Sequence, residues 1–276
     1  MQLNNIHILI KGGLGNQLFQ YAVGRVLSEK YGGKLRLIES LKINPKNTYR
    51  KFKLLEMNLN YTKFNYFYFL FHKYTRKIQI IKEVKNFKYQ EIKILTKDIL
   101  LDGYWQSHKY FNQHKLFLYN EFFKNLKLKK KYKKYLSKFD LKNSVALHVR
   151  RGDYVTNFNA SKFHGVLDIN YYMSAINFFK NKGSHCNFFI FSDDIIWCKK
   201  KLNFDNIIFI DEKNSDEIQE MKLMSLFSNF IIANSSFSWW PAFLSINHNK
   251  VVVSPKNWIS ENIDLSDLIP NTWHKF

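Results

Sequence analysis

The chain has 276 residues, 46% hydrophobic and 24% charged, with a formal net charge of +21. That length and mix exclude a disordered chain and a single small core; they fit one large domain or two of roughly 130 residues each. Two cysteines, Cys186 and Cys198, exclude a disulfide framework and leave no CxxC or Cys/His cluster for zinc.

The chain opens as strand, glycine turn and helix. Ile6, Ile8 and Ile10 form a β-type run, Lys11 to Asn16 the turn, and Leu18 to Tyr31 carry apolar residues at helical spacing. Gly32-Gly33 end that helix, and Lys34 to Ile38 resume an extended pattern. Residues 41–138 are the least periodic part. Ile99-Leu100-Leu101 read as a short buried strand turning at Asp102-Gly103. The lysine run Lys124 to Lys138 reads as a solvated helix or a linker.

The charge is concentrated in this middle part: Lys42 to Lys138 hold 24 lysines and arginines against 6 acids. Such a surface attracts phosphates, nucleic acid or anionic lipid. A chain-wide abundance of Lys, Asn, Ile, Phe and Tyr is the plainer reading. No nucleic-acid motif accompanies the charge, so nucleic acid is not an expected partner. Peripheral contact of the 42–138 region with an anionic membrane is compatible with it. The aromatic stretch Phe64 to Phe71, broken by Asn65 and bordered by His72 and Lys73, is too short to span a bilayer. With no secretory signal in Ile6 to Ile10 and few cysteines, a cytoplasmic location is expected.

From Ser144 the rhythm is regular. Strands are expected at Val145–Val149, Asn187–Phe191, Asn206–Ile210, Phe230–Ala233 and Lys250–Val253. Helices are expected at Asn170–Lys180, Ser215–Phe227 and from Phe237 to Leu244. This alternation predicts an α/β architecture with a parallel, helix-covered sheet. Ligands of such sheets bind beyond the carboxyl ends of the strands. That rule selects Arg150, Arg151, Asp153, Asp193, Asp211, Asn234, Ser235 and Ser236.

Four motifs carry chemistry. The glycine turn Gly12-Gly13-Leu14-Gly15-Asn16-Gln17 is neither a P-loop nor a dinucleotide fingerprint. It is either a tight helix–strand turn or a ligand loop in which Asn16 and Gln17 hold sugar hydroxyls. In His148-Val149-Arg150-Arg151-Gly152-Asp153, His148 and Arg150 share a strand face. Two arginines past a buried strand need an anion or a carboxylate. They would neutralise a departing diphosphate, or one would pair with Asp153. Asp193-Asp194 are adjacent rather than spaced as Asp-x-Asp, so no metal is expected there; Asp194 suits the start of the next helix. In Asn234-Ser235-Ser236-Phe237-Ser238-Trp239-Trp240 the hydroxyls suit an anion-binding helix start, and the tryptophans suit the core.

The set GGLGNQLFQYA, HVRRGDY, FSDD and NSSFSWW, in this order, resembles the bacterial α-1,2-fucosyltransferases of glycosyltransferase family 11. Tyr104-Trp105-Gln106-Ser107 and Phe163-His164-Gly165-Val166-Leu167 extend the resemblance, which runs from about residue 6 to 260. It implies a GT-B-like fold of two facing Rossmann-type domains, an acceptor-side domain at 1–140 and a donor-binding domain at 141–276. It implies inverting transfer from GDP-β-L-fucose to the 2-hydroxyl of a galactose-containing glycan, without a metal or cofactor, in assembly of a bacterial surface polysaccharide. His148, Arg150, Arg151, Asp193, Asp211, Asn234, Ser235 and Ser236 would bind the donor, with Arg150 on the β-phosphate and Asp211 at guanine. Gly13, Gly15, Asn16 and Gln17 would face the acceptor, Asn16 where it meets the fucose. Asp153 and His164 are the candidate general bases. A fucosyltransferase of the 1,6 or protein O-linked type, or a non-catalytic GDP- or glycan-binding protein, is the rival reading.

Overall fold

The computed structural model describes residues 2–39, 51–65, 78–182, 186–247 and 249–276. Most of the aromatic stretch to Phe71, with His72 and Lys73, and the start of the basic region at Lys42 lie outside the described residues. The chain forms two compact units, Met1–Phe122 with Leu265–Leu268, and Phe123–Asp264 with Ile269–Phe276.

The first unit runs β1 (Asn5–Ile10), α1 (Leu14–Tyr31), β2 (Lys34–Glu39), β3 (Thr62–Phe64), β4 (Ile78–Lys82) and β5 (Asp98–Asp102). Its sheet order is β3-β2-β1-β5-β4. The central strand carries Ile6 and Ile8, which are fully buried, and α1 covers it with Leu18, Phe19 and Ala22. The helix begins four residues earlier than the apolar spacing indicated, so Gly15 and Asn16 belong to its first turn rather than to the loop.

The second unit contains α2 (Lys130–Lys138), β6 (Val145–Val149), α3 (Gly152–Thr156), α4 (Phe158–His164), α5 (Ile169–Asn181), β7 (Phe188–Ser192), α6 (Ile195–Lys201), β8 (Ile207–Phe209), α7 (Glu217–Met224), β9 (Asn229–Ile231), α8 (Ser236–Leu244), β10 (Val251–Ser254) and β11 (His274–Lys275). The sheet order is β11-β10-β9-β6-β7-β8. Every residue of β6 is buried, as a central strand with both faces covered requires. Val145, Leu147 and Val149 pack with Ile176 and Phe179 of α5 and Ile190 of β7. Within the lysine run, α2 turns Tyr132 and Tyr135 inward, and Tyr135 donates to Glu212 at 2.7 Å. Trp239 and Trp240 are fully buried core residues.

All described strand pairs in both units are parallel. The fold class is therefore the expected α/β one, GT-B-like in having two Rossmann-type parallel sheets. In each, the chain leaves the central strand in one direction and later returns to its other side. The switch point lies between β1 and β5 in the first unit and between β6 and β9 in the second. Crevices form at such points because the following connections diverge to opposite faces of the sheet. Among the described residues no helix is long and apolar enough to cross a membrane.

Candidate active site

In the first unit, the glycine loop leaves β1 and the Tyr104–Gln106 segment leaves β5, on the two sides of the switch point. Gly12 has φ +81, and a Cβ there would lie 2.8 Å from Asn16 Nδ2, so geometry and space both demand glycine. Gly13 differs: its φ is −74 and a Cβ would meet nothing within 4 Å. Asn16 Oδ1 accepts from Gln106 Nε2 at 2.9 Å, which ties the two loops together. Glu83 accepts from the N–H groups of Tyr104 and Trp105 at 2.7 and 2.9 Å, and burial raises its carboxyl above the ordinary range.

Gln17 departs from the role expected of it. Only 1% exposed, it donates to the carbonyls of Gly12 and Lys51, both at 2.8 Å, and accepts from Lys53 N–H at 2.9 Å. Its amide braces main chain instead of presenting itself to a sugar. The buried Gly15 sits inside α1. Gly13, the cap of α1, and Asn16 in its first turn are both partly exposed.

The second unit gathers charge at the end of β6. The Arg150 guanidinium pairs with Asp153 at 2.5 Å and with Asp193 at 2.8 Å. Burial works against its charge, but the two carboxylates outweigh burial and hold it firmly protonated. These pairs use NH1 and NH2 of a fork with five N–H donors, which leaves donors for a further anion. Arg151 pairs with Asp194 at 3.1 Å and lies over the Trp197 ring at 4.1 Å. Asp193 also accepts from Arg151 N–H at 2.8 Å, bracing the end of β7 to the end of β6. That approach needs Gly152, where a Cβ would lie 2.4 Å from Asp193 Oδ2. Asp194 accepts from Trp197 N–H and caps α6, the helix-start role its spacing suggested.

Across the switch point, Ser235 caps α8 and accepts from Phe237 N–H at 3.3 Å, which puts the positive end of that helix beside β6. His148 is 4% exposed, and its Nδ1 lies 3.0 Å from Ser238 Oγ. Burial, reinforced by Arg150, pushes this imidazole down to about 3, so it is neutral near pH 7. Asn234 is 2% exposed; its Nδ2 donates to the carbonyls of His164 at 2.9 Å and of Gly165 and Trp258 at 3.3 Å. Its Nδ2 thus braces the His164 turn and the Trp258 segment, while its buried Oδ1 has no hydrogen-bond partner among the described residues.

Of the two base candidates, Asp153 is engaged by Arg150, and burial holds His164 down at about 4, with Asp153 opposing and Arg150 assisting. Thus Arg150, Arg151, Asp153 and Asp193 meet directly, and Asn234 and His164 join them. Ser236 opens α8. Asp211 stands apart beyond the edge strand β8, paired with Lys199 at 2.6 Å. Tyr154 and Ser238 escaped the sequence reading. Their signal was position, one residue after Asp153 and two after Ser236, inside motifs already singled out.

Each switch point thus gathers one set of groups, amides and an aromatic in the first unit, a pair of arginines and a helix start in the second. Comparison with known proteins gives the same direction. The chain matches the family described as Glycosyl transferase family 11 over residues 3–273. It is 33% identical to an alpha-1,2-colitosyltransferase of Escherichia coli, covering 96% of each chain. It is 32% identical to the O-antigen biosynthesis glycosyltransferase WbnK of Escherichia coli, covering 96% of this chain and 98% of that one. A galactoside 2-alpha-L-fucosyltransferase of Bos taurus, SEC1, is 30% identical over 37% of this chain and 28% of its own. A match across nearly the whole length, carried by two parallel Rossmann-type sheets with motifs at their switch points, places this chain in glycosyltransferase family 11.

Proposed function

We propose that the protein transfers L-fucose from GDP-β-L-fucose to the 2-hydroxyl of a β-galactoside in a surface glycan, with inversion and without a metal. The observation that carries this reading is the Arg150 fork at the β6–β9 switch point, held in place yet with N–H donors left over. A fixed cation there would stabilise the charge that develops on the β-phosphate as the acceptor oxygen attacks the anomeric carbon from the opposite side. The start of α8 would meet the other phosphate oxygens. Asp211 lies two strands from β6, roughly 10 Å by ordinary strand spacing, a reach that suits the guanine end of the nucleotide. On the acceptor side, Gly13 and Asn16 offer a close backbone approach and an oriented amide.

The same charges support a metal-independent reading. Asp193 and Asp194, the carboxylates that would bind a cation, are already neutralised by Arg150 and Arg151. Asp153 is tied up in an ion pair with Arg150 and burial holds His164 down, so positioning and phosphate stabilisation would supply most of the rate. The exposed lysines of α2 and its approach, Lys124, Lys127, Lys130 and Lys133 among them, would rest on an anionic membrane surface. Co-sedimentation with anionic but not neutral vesicles checks this point.

A second reading concerns the donor sugar. One relative is named for transfer of colitose, a sugar that is L-fucose without its 3-hydroxyl. The test is to offer GDP-fucose and GDP-colitose in parallel with a panel of β-galactosides, in EDTA, and to assign the product linkage by NMR. An α-1,2-fucosyl product supports the proposal. Turnover with the colitose donor alone replaces fucose, and activity only after adding a divalent cation ends the metal-free reading.

A further inference from the structure

We propose that Tyr154 is a positioning residue of the donor site, whose ring fixes the plane of the Arg150 guanidinium and ties it to the His164 turn and the end of β9. The proposal rests on the donor reading above. Tyr154 follows Asp153 in α3 and is 7% exposed. The Arg150 guanidinium carbon lies 5.3 Å from the centre of its ring. The His164 imidazole stacks on the same ring at 4.4 Å, with only 5° between the planes. The Tyr154 hydroxyl donates to the carbonyl of Asn234 at 3.2 Å.

These contacts close a circuit. Asn234 Nδ2 returns to the carbonyl of His164 at 2.9 Å, so tyrosine, histidine and asparagine brace one another from three separate segments of chain. The circuit supplies what the ion pairs lack. Asp153 and Asp193 approach Arg150 at NH2 and NH1, at its outer edge. Contacts along one edge leave a planar group free to rock about that edge. A flat, immobile ring face removes that freedom, and cation–π attraction favours the guanidinium against it. The remaining N–H donors are then aimed before the diphosphate arrives, which lowers the ordering cost of binding. An aliphatic side chain is smaller and would provide neither the flat face nor the hydroxyl bond.

The test compares wild type, Tyr154→Phe and Tyr154→Leu for GDP affinity by calorimetry and for the His164 ring titration by NMR. Far-UV circular dichroism verifies folding. The leucine variant should bind GDP about tenfold more weakly, and the phenylalanine variant should stay within about threefold. His164, held at about 4 by burial, should titrate higher in the leucine variant as its stacked face opens to water. Unchanged GDP affinity in a folded leucine variant overturns the proposal. So does an equal loss in the phenylalanine variant, which would assign the effect to the hydroxyl. Should the leucine variant fail to fold, Tyr154→Met answers the same question. A wild type that binds no GDP removes the donor reading; the His164 titration then decides Tyr154, and its constancy in the leucine variant refutes the bracing circuit.

Discussion

The two switch-point loops occupy equivalent places in two similar sheets and are built from opposite materials. Between β1 and β5 the side chains are amides and aromatics, and the main fixed charge, Lys11, is balanced by Asp102 at 3.0 Å. Between β6 and β9 the end of the central strand carries two arginines held by Asp153, Asp193 and Asp194. The neutral loop offers directional bonds suited to hydroxyls. The charged loop offers fixed charge suited to phosphate. One topology thus supports two recognition chemistries, because the sheet decides where the residues stand and not what they are.

That contrast is most strongly challenged at Arg150. Replacing it with Ala should lower kcat/KM by about 10²–10³-fold, the usual cost of losing a group that stabilises transition-state charge. Arg150→Lys should recover only part, because a point charge lacks the planar fork. Steady-state kinetics with normal thermal unfolding of each variant decides this. Near-wild-type turnover of the alanine variant would remove the charged loop from the chemistry.

The next effect concerns acid. His148 and His164, both in the second unit, have folded values of about 3 and about 4, below the ordinary 6.5. As pH falls through 6.5 the unfolded chain takes up their protons first, so stability declines. Between pH 6.5 and 5 each histidine should remove about 1.6 kcal/mol. Glu220 acts in the opposite sense. Burial raises it to about 7, so the native state keeps a proton that the unfolded chain releases, and its contribution is lost as pH rises toward 7. Urea unfolding at pH 5 and 6.5 should show a net loss in acid, made steeper by Glu220→Gln. A flat profile in that variant would contradict the histidine assignment.

The smallest effect separates two adjacent glycines of the neutral loop. Gly12→Ala should cost about 1–3 kcal/mol, since a side chain there is strained and collides with Asn16. Gly13→Ser should leave stability near wild type, because serine caps helices well and its Cβ enters open space. If Gly13 lies against the acceptor, the serine variant should nevertheless raise the acceptor KM. An unchanged KM would limit the loop to packing α1 on its strand.

The second sheet was readable, except for its two-residue edge strand β11, because its other strands are continuous apolar runs. Val145–Val149 matched to the residue, and β7, β8, β9 and β10 lay within two residues of expectation at each end. Strands β3 and β4 were not read. Each lies at an edge of its sheet and carries lysine, Lys63 and Lys82, as exposed edges often do, which erases the apolar signal. The early start of α1 was hidden by Gly15 and Asn16, poor helix formers placed in its first turn. At the site, sequence marked which residues matter but not what each does. The partners of Arg150 and Arg151 include carboxylates about forty residues away, just beyond β7, and Gln17 is consumed by Lys51 and Lys53, contacts that no local pattern records.

The short return of the chain at Leu265–Leu268 affects any attempt to dissect this protein. The polypeptide passes from one unit to the other three times, not once. Asp267 in that return accepts from the Tyr89 N–H at 2.8 Å and pairs with Lys109 at 2.7 Å, and its carbonyl accepts from the His108 N–H at 2.7 Å. A fragment ending at Phe122 would therefore lack a staple that holds its own loops. The following residues include β11, which pairs with β10, and Trp273, which packs beside Trp239. Shortening the chain from its carboxyl end would strip contacts from both units in one step. A self-sufficient first unit calls for grafting the four-residue return back onto it, not for a single cut.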